Sequence, residues 1–314
     1  MGAFAAYLMA YFCNGDSEDA EQIRFALSAG RSPTRWIPLR GGAPMLRSTV
    51  GQLGARDPFL LRDERRGRFI VIATDLRIHP DGNWHRAVRQ GSRSITIWES
   101  SDLLAWTPPR TEEIASASAG NVWAPKAFLL PDGETWRVFF ASALYESPTD
   151  REAEAHQRIL TVDTTDFRAF TSPAVYWDPG HDVIDATFLE WEGELSRFAA
   201  DSLTADRARR SQFVRQDRAA SLDTSTGRTV SLMLGSADQA RAEGPAAFAG
   251  LDDGFAYLLL DEFELRGYQL YRSRDPHSGD WEHVTETMLP AGARHGSVIP
   301  ITADEEARLT SWRS

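Results

Sequence analysis

The chain has 314 residues, 42% of them hydrophobic and 25% charged, which are ordinary globular values with ample length for a large core. A net charge of −11, spread along the chain, gives no support for a polyanionic partner such as nucleic acid. A single cysteine, Cys13, excludes an internal disulfide and a thiolate metal cluster, and no apolar run reaches membrane-spanning length.

The N-terminal stretch MGAFAAYLMAYFCNGD lacks a basic leader region and merges into a strand-like pattern. It does not read as a signal peptide, so a cytoplasmic location is expected. Segments 4–12 and 22–30 are strand-like. So are RFIVIATD (68–75), SITIWES (94–100), WRVFFASAL (136–144), RILTVDT (158–164) and FAYLLLDEF (255–263). All are short and bounded by Gly, Pro, Asp or Asn, as strands are. Helical periodicity is scarce, and 148–157 and 202–220 are the best candidates for helix or loop insertions.

Five similar stretches recur at intervals of about 50 to 70 residues, the scale of propeller blades. Their anchors are Asp57 in ARDPFLL, Pro125 in NVWAPKAF, Asp185 in VIDATFLEW, Glu243 in AEGPAAF and His295 in ARHGSVIPIT. Each anchor opens an apolar run, and further strands follow in most units. The pattern predicts an all-β, five-bladed β-propeller formed by residues 1–314 as one domain. Too few residues follow His295 to make a blade, so the N-terminal strands are expected to complete the last one. Such closure leaves no exposed sheet edge in the ring. A β-sandwich with long loops is the alternative, but it does not explain one polar anchor per unit.

In a propeller the first strand of each blade lines the central channel. Asp57, Asp185, Glu243 and His295 would therefore converge near the axis. Three carboxylates in one pocket suit glycoside hydrolysis, where a protonated carboxyl serves the leaving oxygen and an ionised one activates water. In an inverting enzyme the two stand roughly 6.5–9.5 Å apart. A third carboxylate raises the pKa of the acid by repulsion.

Each residue also has a plainer reading. Asp57 before proline is a turn residue in many chains. Arg56 and Arg294 precede anchors and suit either a sugar hydroxyl or an ion pair. Trp84 lies on a long insertion that can overhang the pocket or end in solvent. Trp123 fits blade packing as well as sugar stacking. His79 and His85 lack the carboxylate spacing of a metal site.

The ordered set Asp-Pro, Trp-Ala-Pro, Ile-Asp, Glu-Gly-Pro, His-Gly resembles glycoside hydrolase family 43 over almost the whole chain. That resemblance implies Asp57 as general base, Asp185 as pKa modulator and orienter, and Glu243 as general acid. It places His295 near the channel axis, where relatives often hold a water cluster or a calcium ion; the chemistry itself requires no cofactor. Lys126 departs from the family, which often has an acidic residue there, and puts the pocket's polarity and substrate in question. Ala-Thr follows Ile-Asp where Pro-Ser is frequent, and 202–240 matches no recognised pattern. The expected activity is inverting, exo-acting release of a terminal pentose or furanose, first of all α-L-arabinofuranose, from a short glycan. β-D-xylose and β-D-galactofuranose are the rival sugars. A sugar-binding propeller without turnover is the second reading, although binding alone needs no acid–base pair. A protein-interaction propeller would carry a Trp-Asp series that this sequence lacks.

Overall fold

A computed structural model of the chain describes residues 3–206 and 211–311. The first strands are β1 (Phe4–Phe12), β2 (Arg24–Ala29) and β3 (Ser32–Pro38). Blade 1 follows with β4 (Ala55–Asp63), β5 (Arg68–Asp75), β6 (Ser94–Ser100) and β7 (Arg110–Glu113), and a short helix α1 (Trp84–Arg89) sits in its β5–β6 connection. Blade 2 holds β8 (Trp123–Leu129), β9 (Trp136–Ala143), β10 (Gln157–Thr164) and β11 (Ala174–Trp177). Blade 3 holds β12 (Val183–Trp191), β13 (Glu194–Asp206), β14 (Ser211–Ala219) and β15 (Gly227–Leu234). Blade 4 holds β16 (Glu243–Ala249), β17 (Ala256–Glu262), β18 (Gly267–Ser273) and β19 (Glu282–His283), and the chain ends with β20 (Arg294–Thr302) and helix α2 (Ala303–Ser311).

Blades 1 to 4 are antiparallel meanders, and the fifth sheet has the order β20-β1-β2-β3. The C-terminal strand thus forms the inner edge of a blade whose other strands are N-terminal, as the sequence predicts. The β1–β20 ladder pairs Tyr7 with Pro300 and Met9 with Val298. Five apolar clusters lie between neighbouring sheets and close the ring. One joins Leu8 and Phe25 to Val71 and Trp98, and the next joins Ile70 and Ile97 to Val138 and Leu160. The others join Phe139 to Phe188, Phe198 to Leu258, and Tyr257 to Trp36.

Of the two candidate helix or loop insertions, 148–157 is the loop form and leads into β10, whereas the other fails. Segment 202–220 is mostly strand, the end of β13 and all of β14, with 207–210 outside the described residues. Ladder bonds and the apolar pairs of Phe198, Phe213 and Val214 decide its structure despite the arginine-rich composition.

Helix α2 was not foreseen, although its signal is present. Glu305 N–H donates to Thr302 Oγ1 (3.3 Å) and Thr302 N–H donates to Glu305 Oε2 (2.8 Å), a capping box. Arg62 Nη1 and Nη2 clamp the same Glu305 at 2.6 and 2.8 Å. Leu309, fully buried, joins the cluster between blades 5 and 1. The helix therefore straps the closing blade to its neighbour. Leu309→Ala is expected to lower unfolding free energy by about 2–5 kcal/mol, read by urea titration; a loss under about 0.5 kcal/mol, the scale of a neutral surface change, would show the strap to be idle.

Candidate active site

The inner strands share one irregularity. Each has a register shift near its N-terminal end, between Arg56 and Phe59 on β4, Trp123 and Lys126 on β8, Ile184 and Thr187 on β12, and Glu243 and Ala246 on β16. On β20 the shift lies opposite Arg294 to Ser297. One residue at each bulge is left-handed: Asp57 (φ 52°), Ala124 (48°), Asp185 (61°), Gly244 (55°) and His295 (39°). The repeat anchors of blades 2 and 4 are thus Ala124 and Gly244, each one position from the predicted Pro125 and Glu243. A side chain on Gly244 would put Cβ 2.6 Å from His295 Cδ2, so both the conformation and the space require glycine there.

Asp57, Asp185, Glu243 and His295 line one small pocket of about 80 Å³, with Arg56, Trp84 and Trp123 on its wall. His295 is the centre of contact. Its Nδ1 lies 3.1 Å from Asp57 Oδ1 and 3.6 Å from Asp185 Oδ2. Its Nε2 lies 2.9 Å from Glu243 Oε1 and 3.3 Å from Asp261 Oδ2. Burial opposes a charge on the ring, but Asp185 and Glu243, then hydrogen bonds from Asp261 and Asp57, raise its pKa well above the usual value. The ring is an imidazolium at neutral pH.

The three carboxylates differ. Burial works to raise the pKa of Asp57, but the hydrogen bond and charge of His295, helped by Arg56 and the Thr74 hydroxyl (2.7 Å to Oδ2), hold it far below the usual range. Burial also opposes ionisation of Glu243. His295 and Arg294 outweigh it, and Arg294 Nη2 donates to Oε1 at 2.6 Å. Gln212 Nε2 donates to Oε2 at 3.1 Å. Asp185 goes the other way. Burial, with repulsion from Glu243 and Asp57, pushes it up to about 6 against the pull of His295 and Lys126. Its Oδ2 accepts the Gly244 N–H at 3.0 Å. Of the three carboxyls it is therefore Asp185, and not Glu243 as expected, whose affinity for a proton is raised.

The remaining predicted residues separate by position. Trp84, 47% exposed, opens α1 and meets Trp123 edge-on at 6.0 Å. Arg56 lies 4.5 Å from the Phe12 ring and 5.3 Å from Trp84. Arg294 bridges Glu243 and Asp261, and its Nε lies 2.7 Å from Asp261 Oδ2. Lys126 is a correction to the predicted pocket wall. It lines a separate channel cavity of about 190 Å³ with Phe59, Phe128 and Phe188. There its Nζ stands 3.5 Å from the Gly296 carbonyl, and burial lowers its pKa against the pull of Asp57 and Asp185. The side chain follows the strand inward past the bulge.

Several supports escaped the sequence reading. Glu21, fully buried, accepts from Arg56 (2.6 Å), from Ile78 N–H (3.1 Å) and from His79 N–H (3.0 Å). Tyr268 Oη donates to the Gly244 carbonyl (3.1 Å) and accepts the Gly296 N–H, tying β16 to β20. Thr74 Oγ1 also accepts the Ala124 N–H at 2.7 Å. None of these sits in an anchor motif, and only Thr74, a polar residue inside the apolar run RFIVIATD, leaves a signal in the sequence.

Asp185, Glu243 and His295 offer three ligand atoms within 4.8 Å of one another. Calcium takes roughly six to eight oxygens. Two carboxylates and a ring nitrogen already bonded on both sides do not fit it.

A protein-family profile of glycosyl hydrolase 43-related proteins, described as "Probable glycosyl hydrolase domain", matches residues 2–307. An α-L-arabinofuranosidase of Bifidobacterium longum subsp. longum is 30% identical over 170 residues, which is 50% of this chain and 16% of that protein's length. An α-L-arabinofuranosidase structure from Lactobacillus brevis superposes with a TM-score of 0.57 at 18% identity, covering 83% of this chain and 82% of that one. A xylan β-1,4-xylosidase structure from Bacillus halodurans C-125 superposes at 0.55 with 14% identity, covering 78% and 46%. At such identities the two superpositions establish the propeller fold.

The charge pattern has a pH signature. Asp185 is raised from 3.8 to about 6, so the fold favours its protonated form. That contribution is complete below pH 3.8 and is lost as pH rises through about 6. Asp185→Asn, which keeps a neutral side chain at every pH, should lack this loss. Relative to the variant, the wild type is expected to lose stability over that window and to hold a constant difference above it, by denaturation across pH. A difference that does not change with pH would show that Asp185 titrates in the fold as it does in the unfolded chain.

Proposed function

We propose that this chain, which belongs to the glycosyl hydrolase 43-related family, is an inverting, exo-acting glycoside hydrolase that removes a terminal pentose or furanose from a short glycan. The observation that carries this reading is the pocket itself. Three buried carboxylates with opposed proton preferences meet around one imidazolium. A site that only holds sugar has no use for such a division.

Asp57 suits the general base. It is ionised, and Thr74 fixes Oδ2 while Oδ1 contacts His295. Glu243 suits the general acid, provided that it acquires a proton, because Arg294 and His295 keep it ionised at rest. The nearest proton is on His295 Nε2, at 2.9 Å. Its transfer to Oε1 leaves a neutral imidazole and a carboxylic acid that can protonate the leaving oxygen, while Asp57 takes a proton from the attacking water. Asp185, which holds a proton more readily than either, is the neighbour whose titration changes the field on both. Asp57 and Glu243 contact opposite nitrogens of the ring, which favours a water between base and sugar over a covalent intermediate.

α-L-Arabinofuranose is the first candidate sugar, supported by the Bifidobacterium relative. β-D-Xylose and β-D-galactofuranose remain the alternatives that the pocket side chains must separate. The pocket is small, which suits one terminal unit.

A panel of nitrophenyl furanosides and xylosides tests the reading. Glu243→Ala should lose roughly 10²-fold or more on natural oligosaccharides, the scale of acid–base catalysis, and much less on nitrophenyl substrates, whose leaving group needs little protonation. Asp57→Ala should be nearly inactive on all of them. Equal losses in Glu243→Ala on both substrate types would remove it from the acid role. The first product seen by NMR should have the opposite anomeric configuration to the substrate. Sugar affinity without turnover would favour a binding propeller instead.

The chemistry assigned here runs through side chains alone. Incubation with EDTA and gel filtration should therefore leave turnover unchanged. Reversible loss restored by calcium would show that an ion belongs in the site.

A further inference from the structure

Beside the pocket, and between blades 1 and 2, lies a groove of about 470 Å³ lined by Arg89, Ser92, Arg93, Glu113, Thr149 and Arg151. Its segments are the β5–β6, β7–β8 and β9–β10 connections. These leave the same end of the blades as the carboxylates, so the groove opens on the pocket face. Helix α1 links the two, with Trp84 on the pocket wall and Arg89 in the groove. Five residues at 1.5 Å rise put them about 7.5 Å apart along the axis.

The groove is positive in a chain of net charge −11. Arg93 pairs with Glu113 at 2.9 Å. Arg151 has no carboxylate partner among the described residues. It is locked by the carbonyls of Pro148, Arg89, Ala119 and Ala117 at 3.1, 3.2, 2.8 and 2.6 Å, with its guanidinium 5.1 Å from the Tyr145 ring. Arg89 is less satisfied still. Its Nε is buried with no hydrogen-bond partner. The hydroxyl of Tyr145, a residue only 5% exposed, is buried and unpartnered in the same way. Asp150, Glu152 and Glu154 on the neighbouring loop are exposed, and Glu154 shares an adjoining cavity with Arg89 without an ion pair to it among the described residues.

Among the described residues neither guanidinium has a carboxylate within ion-pair distance, Arg151 being fixed by backbone carbonyls and Arg89 keeping an unbonded Nε, and that leaves room for an anion. Guanidinium binds carboxylate through paired charge-assisted hydrogen bonds. Ser92 and Thr149 add hydroxyls of the kind that meet sugar hydroxyls. We infer that this groove is a leaving-group subsite that recognises the carboxylate of a uronic acid unit on the glycan. The inference rests on the hydrolase reading. The terminal sugar sits over Asp57, the chain crosses the Trp84–Trp123 edge, and the acidic unit reaches Arg89.

The test compares neutral xylo-oligosaccharides with the same oligosaccharides carrying glucuronate. Binding is measured by calorimetry on the Asp57→Ala protein, with and without Arg89→Gln, at low and high salt. The glucuronate-bearing ligand is expected to bind roughly tenfold tighter, the scale of one charged hydrogen-bonded contact. The preference should shrink in high salt and vanish in Arg89→Gln, while Arg89→Lys keeps part of it. Nitrophenyl glycoside turnover in otherwise wild-type protein should be unchanged by Arg89→Gln. Equal affinity for the two oligosaccharides would overturn the subsite. So would inorganic phosphate displacing the acidic ligand at equal concentration, which would make the groove a free-anion site. Absence of any glycoside turnover would instead count against the hydrolase reading, since the binding comparison does not depend on it.

Discussion

The bulge that recurs at the entrance of every inner strand is the constraint on which the site depends. A regular strand sends successive side chains to opposite faces of its sheet. A left-handed residue breaks that alternation and re-aims one side chain. Here four of the five such residues are not glycine, a conformation that costs roughly 1–2 kcal/mol each. Packing between blades must hold them. The fifth, Gly244, lies against His295, where any side chain would collide. The backbone thus sets the distances at which the carboxylates meet, before electrostatics enters.

Charge then decides which of them keeps a proton. Glu21, Asp57, Asp185, Glu243 and Asp261 are buried or nearly so, and Arg56, Lys126, Arg294 and His295 are the cations among them. Five potential anions face four cations. The excess of negative charge falls on Asp185, which burial and the facing Glu243 and Asp57 make the readiest of the three to take a proton. Glu243 touches Arg294 and Asp57 touches both His295 and Thr74, so they ionise. This balance explains why Glu243, the proposed general acid, is held in its ionised form. It would also give His295 a chemical role beyond filling the channel, since of the two cations that touch Glu243 among the described residues, Arg294 and His295, only the imidazolium can release a proton.

Much of this was legible in the sequence. Aligned polar anchors gave the blades, their number and the swapped N-terminal strands, because each inner strand must begin with the same bulge. Asp57, Asp185 and His295 fell on that register directly. Glu243 was taken as the anchor itself, one position before Gly244, the residue that occupies the left-handed position. What stayed hidden was of two kinds. Glu21, Asp261 and Tyr268 reach the site from elements whose own pattern is merely that of strand or turn, and their purpose exists only once blades 4, 5 and 1 are adjacent. The arginine-rich stretch 202–220 misled through composition, whereas its alternating apolar residues are satisfied by the strands on either side. Lys126 shows a third limit. A motif places a residue along a strand but not its height in the channel, and here the side chain drops below the carboxylates to the Gly296 carbonyl.

The inner strands and the outer connections carry different burdens. Acid–base chemistry needs fixed geometry and sits on ladder-bonded β-structure, where five sheets determine each position. Selection among glycans, as proposed for the groove, needs surfaces that vary without unfolding the ring, and the β5–β6 and β9–β10 connections are such surfaces. Helix α1 belongs to both. Its first residue, Trp84, closes the wall of the pocket beside Arg56, and its last, Arg89, stands in the neighbouring groove with no ion pair among the described residues. A carboxylate held at Arg89 would therefore also bear on the placement of Trp84. Binding energy gained from a remote unit of the glycan can in that way be used to seat the terminal sugar over Asp57, which is where differential binding accelerates a reaction.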